Sequence, residues 1–188
     1  MEYKQKGMTL HLKKSWIISL ITSFVLLGGV LFSPAASADA TKVATSTYSD
    51  QSYEEFKEYT TQLFALETYE AKAFTALESI DTQVTSTNRK SMYLKLTNTV
   101  IPNYTKLVSK AKQIKPTNPQ IKKIHATFIK ASYTQLEGYL LYQKAVSKNK
   151  VNYTLLKQGN AKVNTAGVLM DQCEQQLYAY ARSLGYDN

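Results

Sequence analysis

The sequence predicts an all-α fold: an antiparallel up-down-up-down four-helix bundle preceded by a signal peptide. Apolar residues recur at helical spacing over four long stretches, and the polar connections between those stretches are only a few residues long. Seven Gly and four Pro in 188 residues are too few for a turn-dense β protein. Hydrophobic residues at 44% and charged residues at 20% are ordinary for a globular chain and argue against general disorder. The single Cys excludes a disulfide framework and a Cys-based metal cluster within one chain.

Residues 1–38 read as the export segment. Lys4, Lys6, Lys13 and Lys14 form a basic leader against one acid, Glu2. An uncharged, mainly apolar stretch runs from Trp16 to Phe32, and Ser33-Pro34 ends it. Those 17 residues stand at the short limit for a membrane-spanning helix. Ala36-Ser37-Ala38 supplies the small residues of a cleavage site, so cleavage is expected after Ala38. No Cys lies near it, which excludes a lipoprotein anchor. Leader and site resemble the signal peptides of Gram-positive secreted proteins, a resemblance that implies a secreted or envelope-associated chain and nothing about activity.

Residues 39–49 are small and polar without periodicity and read as a flexible lead-in. The bundle is expected over 50–188. Its first helix should begin near Ser52, where Ser52 and Glu55 have the spacing of a capping box. Phe56, Leu63, Glu70 and Leu77 then recur every seven residues, and the pattern fades in the polar, β-branched run 81–87. A second helix fits 88–114, with Tyr93, Leu96, Val100, Leu107, Ala111 and Ile114 on one side and a kink or short break expected at Pro102. Lys115-Pro116-Thr117-Asn118-Pro119 is the clearest boundary, with Asn118 as a cap and Pro119 in the next first turn.

The third helix should span 119 to about 147, with Ile121, His125, Phe128, Ser132, Gln135, Tyr139, Tyr142 and Val146 inward. The fourth follows Ser147-Lys148-Asn149-Lys150. Leu156, Val163, Met170, Leu177 and Leu184 repeat at sevens without exception, and Gly185 is placed to stop it.

Candidate chemistry on the inner faces is sparse. Glu67 and Glu70 lie three apart on helix one, and His125, the one histidine beyond the leader, lies on helix three. Di-iron bundles need Glu-x-x-His on two helices, and this chain has none. A single metal site of Glu67, Glu70 and His125, or a haem held by His125 with Met92 or Met170, is the alternative reading. The competing assignment puts His125, Gln135, Glu67, Asn160 and several Tyr hydroxyls in a buried polar layer. There is no Gly-x-Ser-x-Gly elbow, Cys–His pairing signal or Gly-rich phosphate loop, so no enzyme and no cofactor is expected.

The charge map carries more. Formal net charge is +9. Residues 50–81 hold eight acids and two Lys, whereas residues 89–162 hold fifteen basic residues and one acid, Glu137. In an antiparallel bundle one pole collects Arg89, Lys90, Lys95, Lys144, Lys148, Lys150 and Lys157, opposed only by Glu78 and Asp81. The expected function is therefore that of a secreted, non-catalytic bundle at the cell envelope. Through its basic pole it would bind an anionic polymer, a membrane surface or a protein partner. Nucleic acid is not expected, because an exported chain seldom meets it and no recognition fold is present. The lone thiol, Cys173, is either a small buried residue or the source of a disulfide between chains.

Overall fold

The computed structural model describes residues 8–10 and 50–186. The apolar stretch Trp16–Phe32, the expected cleavage site at Ala38 and the lead-in 39–49 lie outside the described residues. The described residues are mostly helical with one very small sheet. Strand β1 is Met8–Thr9 and β2 is Gln83–Val84. The helices are α1 (Asp50–Phe64), α2 (Glu67–Glu78), α3 (Arg89–Lys95), α4 (Ile101–Ala111), α5 (Pro119–Val146) and α6 (Tyr153–Ser183), with a π-helical turn at Leu96–Val100 between α3 and α4. They make up the four helical stretches that the periodicity predicts, two of them interrupted.

The first interruption is the turn at Ala65-Leu66 between α1 and α2. Leu66 N–H donates to Leu63 O at 3.0 Å, and Tyr69 N–H to Leu66 O at 3.0 Å, so the winding tightens there. Upstream, the Thr60 hydroxyl donates to Phe56 O and Lys57 O, and the Thr61 hydroxyl to Lys57 O. Such back-bonding competes with the helix ladder and bends it. The tighter turn brings Leu66 and Ala73 into the core beside Leu63 and Leu77. The expected capping box does not form. Helix α1 already begins at Asp50, and the Glu55 carboxylate accepts instead from Gln51 Nε2 (3.2 Å) and the Thr117 hydroxyl (3.1 Å).

The second interruption answers to Pro102. Its ring would clash with the carbonyl four residues back, and it has no N–H to offer. The chain widens before it: Ile101 N–H donates to Leu96 O, a five-residue step. The Asn103 side chain donates to Thr99 O at 2.7 Å and so satisfies a carbonyl beside the break. The extra residue shifts the helical phase. Met92 and Tyr104 are buried, while Tyr93, which strict periodicity puts inside, is half-buried.

Helices α5 and α6 follow the sequence closely. Asn118 Oδ1 accepts from the amides of Gln120 (2.9 Å) and Ile121 (3.2 Å), and Pro119 opens α5. All five heptad residues of α6 from Leu156 to Leu184 are buried. Gly185 has φ +89°, and the bonds from Gly185 N–H to Arg182 O and from Tyr186 N–H to Ala181 O close a Schellman motif. On α5 every residue predicted inward is buried except Gln135, which is half-buried and donates to the Tyr139 hydroxyl at 2.7 Å.

The two long helices run antiparallel, as three contacts along their length show. Asn118 Nδ2 meets the Tyr180 hydroxyl (2.9 Å), Cys173 Sγ meets Ile124 O (3.7 Å), and the Tyr142 hydroxyl meets Asn160 Oδ1 (2.6 Å). Their backbones come close together at Gly138 and Gly159. A Cβ on Gly138 would stand 2.8 Å from Val163 Cγ2 and 3.2 Å from Gly159 O. A Cβ on Gly159 would stand 2.6 Å from the Tyr142 ring and 3.2 Å from Gly138 O. In an open helix Gly→Ala stabilises by about 0.5–1 kcal/mol. Here the Tyr142 ring is fully buried and hydrogen-bonded, so it cannot step aside. Gly159→Ala should therefore lower stability by about 1–3 kcal/mol, seen as an earlier urea midpoint.

Candidate anion-binding site

The loop 147–152 between α5 and α6 gathers the basic residues. Asn152 N–H donates to Ala145 O at 2.8 Å, pinning both ends of the loop, and the Ser147 hydroxyl donates to Lys144 O at 2.9 Å. Lys144, Lys148 and Lys150 line a cleft of about 530 Å³, completed by Ala145, Val151, Asn152 and the first turn of α6, Tyr153 to Leu155. Among the described residues no acid lines it, and all three lysines are exposed.

The helix start adds to the same field. Asn152 caps α6 by accepting the Leu155 amide at 3.1 Å. The first N–H groups of any helix have no intrahelical acceptor, and the helix dipole places partial positive charge among them. An anion in the cleft would meet three ammonium groups and that positive end together. Ion pairs among the described residues, Lys57 with Glu54 (3.8 Å) and Lys162 with Glu137 (2.7 Å), leave these lysines out.

The predicted pole divides on inspection. Arg89 stands at the start of α3, where the dipole disfavours it, but its Nη1 donates to Val146 O at 2.7 Å. It thereby satisfies a carbonyl in the last turn of α5, where a cation is favoured. Lys95 is likewise engaged: its Nζ donates to Ser79 O (2.6 Å) and Ser79 Oγ (2.9 Å) just past the end of α2. Both cations serve the fold. Lys90 and Lys157 are exposed and line no part of the cleft, although Lys157 lies one turn after Tyr153 on α6. Of the two acids set against the pole, Asp81 accepts the Gln83 amide at 3.0 Å and is held in its own turn.

The inner-face candidates are dispersed. Glu70 is buried on α2, and Glu67 is half-buried at that helix's first residue. His125 is buried on α5, its Nδ1 at 3.3 Å from the Tyr59 hydroxyl and its ring edge-on to Tyr59 at 5.6 Å. Among the described residues no three His, Cys, Asp or Glu side chains are grouped to hold a metal ion. Met92 and Met170 are buried core residues, and His125 does not line the basic cleft. Gln135 donates to Tyr139 and Tyr142 to Asn160, and the Tyr139 hydroxyl feels the charge of Glu70 and the neighbouring Tyr142. These residues form one buried polar group, while Tyr59 pairs with His125 nearer the start of α5. Burial raises the Tyr139 hydroxyl well above its ordinary range, so it stays protonated. Cys173 is fully buried between α5 and α6, and burial pushes its thiol up to about 12. That places it out of reach of a second chain. None of the described helices is long and apolar enough to cross a membrane.

The sequence places the start of the fourth helix just after Lys150, and the structure begins α6 at Tyr153. The residue it did not single out is Asn152, although an Asn before an apolar periodic run is a cap signal in its own right.

Burial lowers the His125 pKa, opposed by a hydrogen bond at the Ala111 backbone and aided by the charge of Lys115. The folded state therefore binds this proton less readily than the unfolded chain. The resulting stability is complete above about pH 6.5, the unfolded value, and is lost as pH falls through the lower folded value. Urea unfolding from pH 7.5 to 5 should show stability falling, and His125→Gln should flatten that slope relative to the parent.

In comparisons with known proteins, no family model matches the chain, and no curated protein or solved structure is similar to it.

Proposed function

We propose that this chain is an exported, non-catalytic up-down-up-down four-helix bundle that acts at the cell envelope, holding an anionic partner in the cleft of Lys144, Lys148 and Lys150. The observation that carries this reading is the cleft itself: three exposed lysines and a helix N-terminus converge on one concavity with no acid among its described lining residues. Export rests on the basic leader, the apolar stretch and the Ala36-Ser37-Ala38 site. The bundle arrangement is supported by the antiparallel α5–α6 pair and the short connections on either side.

The partner class follows from access and chemistry. Surface lysines are compact, strongly hydrated charges that bind through many screened contacts rather than through one rigid fork. A repeating polyanion of the cell wall or an anionic lipid surface offers such contacts; a protein partner would need an acidic patch of matching extent. The histidine and the thiol are both buried in the core, so neither is presented to a ligand in the cleft. That supports a binding role over a catalytic one.

Each lysine near an anionic surface contributes about 1 kcal/mol, so replacing three should cost about 3 kcal/mol, or roughly a hundredfold in affinity. Co-sedimentation of the full chain with phosphatidylglycerol vesicles and with purified cell envelopes, across a salt series, measures it. The parent should bind at low salt and release as salt rises. Lys144→Glu, Lys148→Glu and Lys150→Glu together should abolish binding, while Lys122→Glu with Lys123→Glu at the far end of α5 should leave most of it. Equal loss in both variants would reduce the cleft to general charge.

A further inference from the structure

Residues Met8–Leu10 belong to the predicted leader, yet they are built into the folded domain. Met8 pairs with Val84 and Thr9 with Gln83 in an antiparallel ladder, and Leu10 N–H donates to Thr82 O at 2.8 Å. On the other edge Asn160 Nδ2 donates to Thr9 O at 3.0 Å, while its Oδ1 accepts the Tyr142 hydroxyl. The Leu10 side chain is 3% exposed and Val84 is 0% exposed, both joined to the main core. Met8 is half-buried and Thr9 is exposed.

This is the geometry of strand addition: main-chain bonds on both edges hold an extended segment, and alternate side chains enter pockets. The tripeptide is recognised by pattern, an apolar residue, any residue, then leucine with its N–H intact. Loss of the leader after Ala38 would uncover Val84 and the leucine pocket.

We propose that the groove between β2 and α6 is a peptide-binding site for an extended apolar–any–leucine segment. In this structure residues 8–10 of the chain's own leader fill it, and leader removal leaves it open to a segment of that pattern on a partner protein. The site is independent of the basic cleft; only its opening rests on the export reading.

The test uses the full chain with Leu10→Asp, which evicts the leader, and a fluorescent peptide of residues 6–12, Lys-Gly-Met-Thr-Leu-His-Leu. The variant should bind the peptide saturably and the parent at least tenfold more weakly. A peptide with Asp in place of its first leucine should not bind either chain. A folded Leu10→Asp chain that ignores the peptide, or binds both peptides alike, overturns the proposal. Should that variant unfold, Met8→Cys with Val84→Cys decides, since facing strand residues lie within disulfide reach. A cross-link within one chain, with Val84→Cys alone also capturing a peptide that carries Cys for its Met, supports the groove. Absence of the cross-link or of the peptide adduct overturns it. A cross-link joining two chains assigns the groove to a second copy and overturns it as well.

Discussion

Two helix backbones in this protein lie too close together for side chains between them. At Gly138 and Gly159 a single added methyl on either helix would collide with the other helix or its carbonyl. The vacated space is taken by Val163 and by the ring of Tyr142, the largest fully buried side chain. That ring carries its hydroxyl to Asn160 at 2.6 Å, so a close approach of the helices and a buried polar contact between them fall within one turn of each other. A buried hydrogen bond at such a place fixes register, because sliding either helix by a turn would strand both partners. Val163 and Leu156 on α6, with Phe128 and Ala131 on α5, then pack at fixed heights, and the other helices close over them.

The same constraint shapes the surface. With the register of α5 and α6 set, the loop 147–152 closes through Asn152 and Ala145, and three lysines come to one side of a helix start. Asn160 carries a second load. Its amide reaches the main chain of Thr9, so one asparagine couples the helix pair to the small sheet. Arg89 ties the start of α3 to the last turn of α5 at Val146, and Lys95 ties the end of α3 to the turn after α2. Cations counted alike in the sequence thus separate into those that close helix ends and those left to solvent.

Much of the fold was legible because its signals are local. The heptad of α6, the Asn118-Pro119 entry to α5 and the Gly185 stop each act within a turn or two, and each is realised. The break at Ala65-Leu66 was not legible, because heptad spacing runs through it and only the Thr60 and Thr61 back-bonds mark it. At Pro102 a disruption was expected, but its form, a π turn that shifts the phase toward Met92 and Tyr104, depends on packing. The pairing of Met8–Thr9 with Gln83–Val84 joins segments far apart in the chain, and no local pattern announces it. At the candidate site, charge counting grouped Lys144, Lys148 and Lys150, which line one cleft, with Arg89 and Lys95, which reach backbone carbonyls instead. What a cation does depends on which carbonyl it reaches, and that is a tertiary fact. His125 was read correctly as inward, and its partner Tyr59 was not foreseen because the two lie on different helices.

Native-state hydrogen exchange on the full chain tests most directly whether the α5–α6 contact organises the molecule. The account predicts that amides of 131–145 and 156–170, flanking Gly138 and Gly159, exchange only through global unfolding. Those at 65–66, 82–88 and 147–152 should open at lower free energies. If amides of α1 or α2 outlast those flanking the two glycines, the helix pair is not the organising element and the account fails.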